Sequence, residues 1–177
     1  KNLWIKGWYI MGLSQVSTNT VSSGVSSVTL TGIDDDSVYM VAVVGLATGT
    51  DNVNTDFRIT KSSSAQSDSE YDMVNKDLKA DTSFSTGSAT NADHLSFSNI
   101  GTGESETANG IFYLYNFNNS SQFSYVNYET VNRRSTSVTR GLAGGLVHTV
   151  ASASDGVQFF MSSGNITGGT FTLYKVI

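Results

Sequence analysis

The sequence contains no cysteine and no proline. Without thiols there is no disulfide framework and no thiolate chemistry, so burial, hydrogen bonding or assembly with other chains must hold the fold. A chain of this length would ordinarily carry roughly nine prolines at about 5% usage. Here 17 glycines, together with Asn, Asp and Ser, have to make the turns. Positive charge is also scarce, with ten Lys and Arg against fifteen Asp and Glu, a net charge of -5. That balance argues against nucleic-acid partners, which need clustered cations against phosphate, and favours a soluble surface. Histidine occurs twice, as His94 and His148, which narrows metal and acid–base proposals. No apolar run is long enough for a membrane span of about 20 residues. The opening KNLWIKGWYIMGL is interrupted by Lys6 and lacks an A-x-A-like cleavage site, so neither a membrane partner nor a signal peptide is expected.

What is present is strand-like. VTLTGI (28–33), YMVAVVGL (39–46), FRIT (57–60), LSFSNI (95–100), IFYLYNF (111–117), SVTR (137–140), LVHTVA (146–151), VQFFM (157–161) and TFTLYKV (170–176) are short runs rich in β-branched and aromatic residues. Each is bounded by Gly, Asn, Asp or Ser, and almost nothing follows a helical period. The expected fold class is all-β: a single antiparallel β-sandwich. Alternation in the last run turns Phe171 and Leu173 inward and Thr170, Thr172 and Tyr174 outward. YMVAVVGL lacks alternation and reads as a central strand covered on both faces. The polar stretches 61–93 and 100–110 read as long surface loops, the first with a short strand near Tyr71 and with Met73, Val74, Leu78 and Phe84 able to dock onto a sheet. The chain divides into residues 1–27, an N-terminal arm or strand, and residues 28–177, the sandwich.

A search for chemistry finds little. His148 sits inside a strand pattern, where an exposed or hydrogen-bonded side chain is the plain reading, and no neighbouring ligands give His94 a zinc spacing. Asp34 to Asp36 and the 51–56 stretch supply oxygen ligands, but without EF-hand spacing they read as turns. Asp72, Asp77, Asp81, Glu104 and Glu106 are carboxylates without a defined separation. No G-x-S-x-G elbow or phosphate loop occurs. The expectation is a non-enzyme with no cofactor and no metal. The basic stretch NRRSTSVTR (132–140) reads as a charged strand edge.

Aromatics are the surplus. In IFYLYNFNNSSQFSYVNYE (111–129) seven aromatic residues alternate with Asn and Ser; half should be core, and the rest are available to a protein interface or to sugar rings. In LWIKGWYIMGL, Leu3, Ile5 and Tyr9 share one strand face while Trp4, Trp8 and Ile10 share the other. Trp4, Trp8 and Tyr9 are therefore the candidate contacts to a partner subunit or particle.

The closing SSGNITGGTFTLYKV, in order after VTLTGIDDDSVYMVAVVGLA, FRITKSSSAQSDSEYD, NGIFYLYNFNNSSQFSYVNYE and DGVQFFM, resembles a family of tailed-phage virion structural proteins. These end on a GNI-x-x-G-x-x-x-LYGI signature. The resemblance runs over residues 28–177 and departs at LYKV, where glycine commonly follows the tyrosine. It implies a jelly-roll-like sandwich on the virion exterior without catalytic residues, in a capsid decoration, knob or tail-fibre role and often trimeric. The expected function is a decoration or cement protein whose partners are phage capsid or tail proteins and further copies of itself. The alternative is a tail-fibre or knob domain that binds host-surface glycan.

Overall fold

The computed structural model describes residues 12–177, and among these there is no helix. Thirteen strands follow one another: β1 (Leu13–Val21), β2 (Ser27–Thr31), β3 (Tyr39–Thr48), β4 (Val53–Lys61), β5 (Ser64–Ala65), β6 (Tyr71–Lys79), β7 (Phe84–Ala92), β8 (Leu95–Ile100), β9 (Ala108–Tyr115), β10 (Ser124–Arg133), β11 (Thr139–His148), β12 (Gly156–Met161) and β13 (Ile166–Val176). They build two antiparallel sheets. The larger has eight strands in the order β1-β13-β3-β9-β10-β11-β6-β7; the smaller runs β2-β12-β4-β5, with β8 also paired to β4. The pairings nest, first strand with last and second with second-to-last, as when a long hairpin is wrapped into a sandwich. The all-β antiparallel sandwich is thus the fold of the described residues.

Strict alternation explains which side of each strand faces the other sheet. Along β10, Ser124, Val126, Tyr128, Thr130 and Asn132 are buried while Tyr125, Asn127, Glu129, Val131 and Arg133 are exposed. At β13, Phe171 and Leu173 are fully buried, as their spacing requires, while Thr172 on the other face is covered by its pairing with Thr18 of β1. Between the sheets lies an aromatic core drawn from separate strands. Phe57 and Phe112 stack at 5.6 Å between ring centroids. Phe97 meets Phe112 edge-on at 5.0 Å, and Phe159 packs against Phe57 and Phe171 at 5.4 and 5.3 Å. Each such pair adds about 0.5–1.5 kcal/mol beyond the area it buries.

Four expectations are corrected. The 61–93 segment is not a loop with one short strand: it forms β5 and the β6–β7 hairpin at the edge of the larger sheet. Polar residues run through β7 because neither of its faces is covered, so the apolar alternation that marks a half-buried strand is missing. The second stretch is a loop only as far as Thr107, after which β9 begins. β3 is central, between β13 and β9, but it is covered on one side only: Val44 is 60% exposed. Gly168 and Gly169, a pair that on sequence would free the chain to turn sharply before the last strand, make no such turn. They lie inside β13, where the register to β3 shifts, and Gly169 has φ +122 with a would-be Cβ 3.0 Å from Leu46 Cα. Only glycine fits that bulge. β1 lies within the segment set apart as an arm, and it pairs with β13 along the edge of the larger sheet.

Candidate functional site

The larger sheet turns one face to the core and leaves the other without a covering layer among the described residues. Register identifies the outward rows: Ala42, Ile111 and Glu129 stand level on β3, β9 and β10, as do Met40, Tyr113 and Asn127. Nine of the thirteen exposed large apolar side chains among the described residues stand on this face. On β3, β9 and β10 they are Val44, Ile111, Tyr113, Tyr115, Tyr125 and Val131; Val74 and Leu78 on β6 and Phe84 on β7 continue the patch. Monomeric proteins rarely expose contiguous apolar surface on this scale.

The face is not flat. Outward positions of β11 are Gly141, Ala143, Gly145 and Val147, level with Val131, Glu129, Asn127 and Tyr125 of β10. Three residues with almost no side chain leave a trough between the ridges of β10 and β6. Its deeper end, about 470 Å³, is bounded by Tyr115, Tyr125, Asn127, Asp72 and Val74. A second depression of about 460 Å³ lies between Val44 and Ala42 on one side and Ile111 and Val131 on the other. Charge is sparse: from β3 to β11 the outward side chains include only Glu129 and Arg133 as ionised groups.

The titratable groups singled out in the sequence are mostly braces. Asp34 and Asp35 both accept from the Tyr39 hydroxyl, at 2.9 and 3.0 Å, and Lys175 pairs with Asp35. Hydrogen bonds from Lys175 and Ser37 hold the Asp35 carboxyl well below the usual range. Asp56 is buried and accepts from Ser96 Oγ at 2.6 Å; burial pushes its carboxyl up, against that bond and the nearby His94 and Arg58. His94 Nδ1 lies 2.6 Å from Asp93, which also pairs with Arg58 at 2.8 Å. Ser96 thus donates to a carboxylate rather than to the imidazole, and no Ser–His pair forms there. Arg58 lies 4.5 Å over the Phe160 ring.

His148 is buried at 1% exposure with Nε2 3.2 Å from Glu70. Asp72 and Asp77 point to opposite faces of β6, five residues apart, so they cannot work as a catalytic pair. Asp77 is inward, where Arg140 Nε donates to it at 3.0 Å. The basic stretch therefore splits: Arg140 is locked to Asp77, and Arg134 Nε donates to Asn99 at 3.3 Å. No group of three His, Cys, Asp or Glu among the described residues is placed to hold a metal ion. Trp4, Trp8 and Tyr9 lie outside the described residues. The sequence reading located the surplus of exposed tyrosines in the 111–129 stretch, but took Val74, Leu78 and Phe84 for loop side chains able to dock onto a sheet, whereas they stand exposed on β6 and β7.

No protein-family model matches the chain, and neither a curated protein nor a solved structure matches it significantly.

Proposed function

We propose that the protein is a non-enzymatic structural subunit on the exterior of a tailed-phage virion, a capsid decoration protein that assembles with copies of itself through the outer face of its eight-stranded sheet. The phage setting rests on the order of motifs along residues 28–177. The observation that carries the assembly role is the concentration of exposed apolar side chains on that one face. Six strands about 4.8 Å apart and about 30 Å long offer roughly 700–800 Å², close to the roughly 800 Å² each partner gives to a stable interface. Valine, isoleucine and leucine at positions 44, 74, 78, 111 and 131 have no hydrogen bonds to offer a sugar, which favours a protein partner. A trimer is the stoichiometry that the resemblance implies.

Sedimentation equilibrium of the purified chain tests the interface. The wild type should be a closed oligomer, while Ile111→Glu with Val131→Glu should give a folded monomer with the strand circular dichroism intact. A wild type that remains monomeric at every concentration reached would overturn the interface. Copy number per particle, measured by mass spectrometry against the major shell protein, tests the placement: a comparable count supports decoration.

A second reading, a tail-fibre or knob domain, is favoured by one feature, the half-exposed Tyr115 and Tyr125 beside Asn127 at the trough, where sugar rings could stack. Only a few copies per particle, with glycan binding lost on Tyr125→Ser, would select it.

A further inference from the structure

Gly12 donates its N–H to Ile177 O at 2.8 Å and accepts from Ile177 N at 3.0 Å, so residues 1–11 join the larger sheet at one end of its edge strand β1. Register carries that end across the sheet. Leu13 stands level with Val176, Lys175 with Tyr39 and Tyr39 with Leu114. The next outward position on β9 is Tyr115, which is level with Tyr125, Val147 and Asp72 on β10, β11 and β6. This row leads from Gly12 straight to the deep end of the trough. Leu13, Tyr115 and Tyr125 within it are 50, 38 and 46% exposed.

Three observations bear on what covers the row. The first is reach. Extended at about 3.4 Å per residue, the chain would carry Trp8 about 14 Å from Gly12 and Trp4 about 27 Å. Strands about 4.8 Å apart put β9 about 14 Å and β11 about 24 Å from β1, given the order β1-β13-β3-β9-β10-β11. The two tryptophans thus fall at the Tyr115 ridge and over the floor of the trough. The second is side-chain type. Trp4 and Trp8 share one side of an extended chain, and the trough offers about 470 Å³ over Gly145 and Val147, ample for an indole. The third is charge: residues 1–11 include Lys1 and Lys6 and no Asp or Glu, whereas the ionised member of the row is Asp72.

We infer that the trough is a docking site for the chain's own N-terminal segment, residues 3–10, laid along this row with Trp4 in the trough and Trp8 against Tyr115. Glycine at position 12 lets the chain turn from the line of β1 onto the face. The segment is the chain's own rather than a neighbour's because the spacings match when measured from its own β1. It covers the end row alone and leaves Val44, Ile111 and Val131 to the contact between copies. The inference therefore goes beyond that contact and does not depend on it.

Trp4 and Trp8 are the only tryptophans in the sequence, so tryptophan fluorescence of the full chain reads this segment alone. In Trp8→Phe, Trp4 should emit at shorter wavelength than in the urea-unfolded chain and be quenched several-fold less by acrylamide. The protection should persist on dilution and in Ile111→Glu with Val131→Glu, which separates the copies. Gly145→Leu, which fills the floor, and Tyr125→Ser, which removes a wall, should each restore quenching to the unfolded level. Both positions face outward, and a Cβ at Gly145 meets nothing closer than Val126 O at 3.4 Å, so the strand circular dichroism should be unchanged. Trp4 quenched as freely in the folded wild-type background as in urea overturns the inference. So does protection that survives both trough variants, or that is lost when the copies dissociate, which would assign the segment to a neighbouring copy.

Discussion

Burial holds the His148 imidazole below its ordinary value, although Glu70 beside it pulls the other way. A histidine kept neutral in the fold but free to protonate when unfolded makes the unfolded state bind more protons below the ordinary value of about 6.5. Its contribution is therefore fully present above that value and is lost as the pH falls below it. Thermal unfolding from pH 7 to pH 5 should show a falling Tm, and His148→Gln should flatten the slope. At Asp77 burial would raise the carboxyl, but the hydrogen bond and charge of Arg140 outweigh it and lower the value. Its contribution holds above the ordinary carboxylate range and disappears in more acidic solution. Asp77→Asn should thus reduce the loss of stability below about pH 4 without altering the His148 slope. In the core, Leu173→Ala should cost about 2–5 kcal/mol in denaturant unfolding, because Leu173 is fully buried between the sheets. Residue by residue, alternation in the sequence located Phe171 and Leu173; it required part of the 111–129 aromatics to be core but did not single out Phe112, Phe117 and Tyr128. It could not reveal that Asp56 would be enclosed or that Ser98 would lack a partner, since both depend on strands brought together from β4 and β8.

At the scale of elements, the turn between β4 and β5 departs from the residues such turns favour. Ser62 and Ser63 both have positive φ, 50 and 61, between Lys61 and Ser64, which pair directly. That is the two-residue hairpin geometry for which Asn-Gly is the preferred pair. Ser62→Asn with Ser63→Gly should raise stability by about 0.5–1 kcal/mol, measured by chemical denaturation, since the strain of a non-glycine residue there is relieved. In the smaller sheet, Gly156 is held between Thr31 and Thr60, and a Cβ would stand 2.0 Å from Leu30 O. Gly156→Ala should force β2 away from β12 and cost at least about 1–3 kcal/mol, with faster amide exchange along β2 as the local signature. Elements with one face on the core, such as β9 and β12, were legible because burial imposes alternation. β1 and β7 were not, because edge strands wet on both faces carry no such pattern.

For the molecule as a whole, the uncovered face of the eight-stranded sheet gathers nine of the thirteen exposed large apolar side chains among the described residues, the kind of patch that marks an interaction surface. Because Glu129 and Arg133 are the ionised side chains on its β3-to-β11 portion, association through it should survive high salt. Screening weakens surface ion pairs but not apolar burial. An oligomer that dissociates as salt rises, followed by light scattering, would place the interface on a charged surface instead. The sequence by itself determined the class of fold, many of its strands and the inward side chains of the last one, because these follow from a period of two and from the absence of helical pattern. Tertiary structure alone decided that the outward residues of six strands would merge into one apolar face and that the small residues of β11 would carve a trough through it. Each of these comes from strands distant in sequence lying about 4.8 Å apart, and no local pattern records which strand will be the neighbour of which.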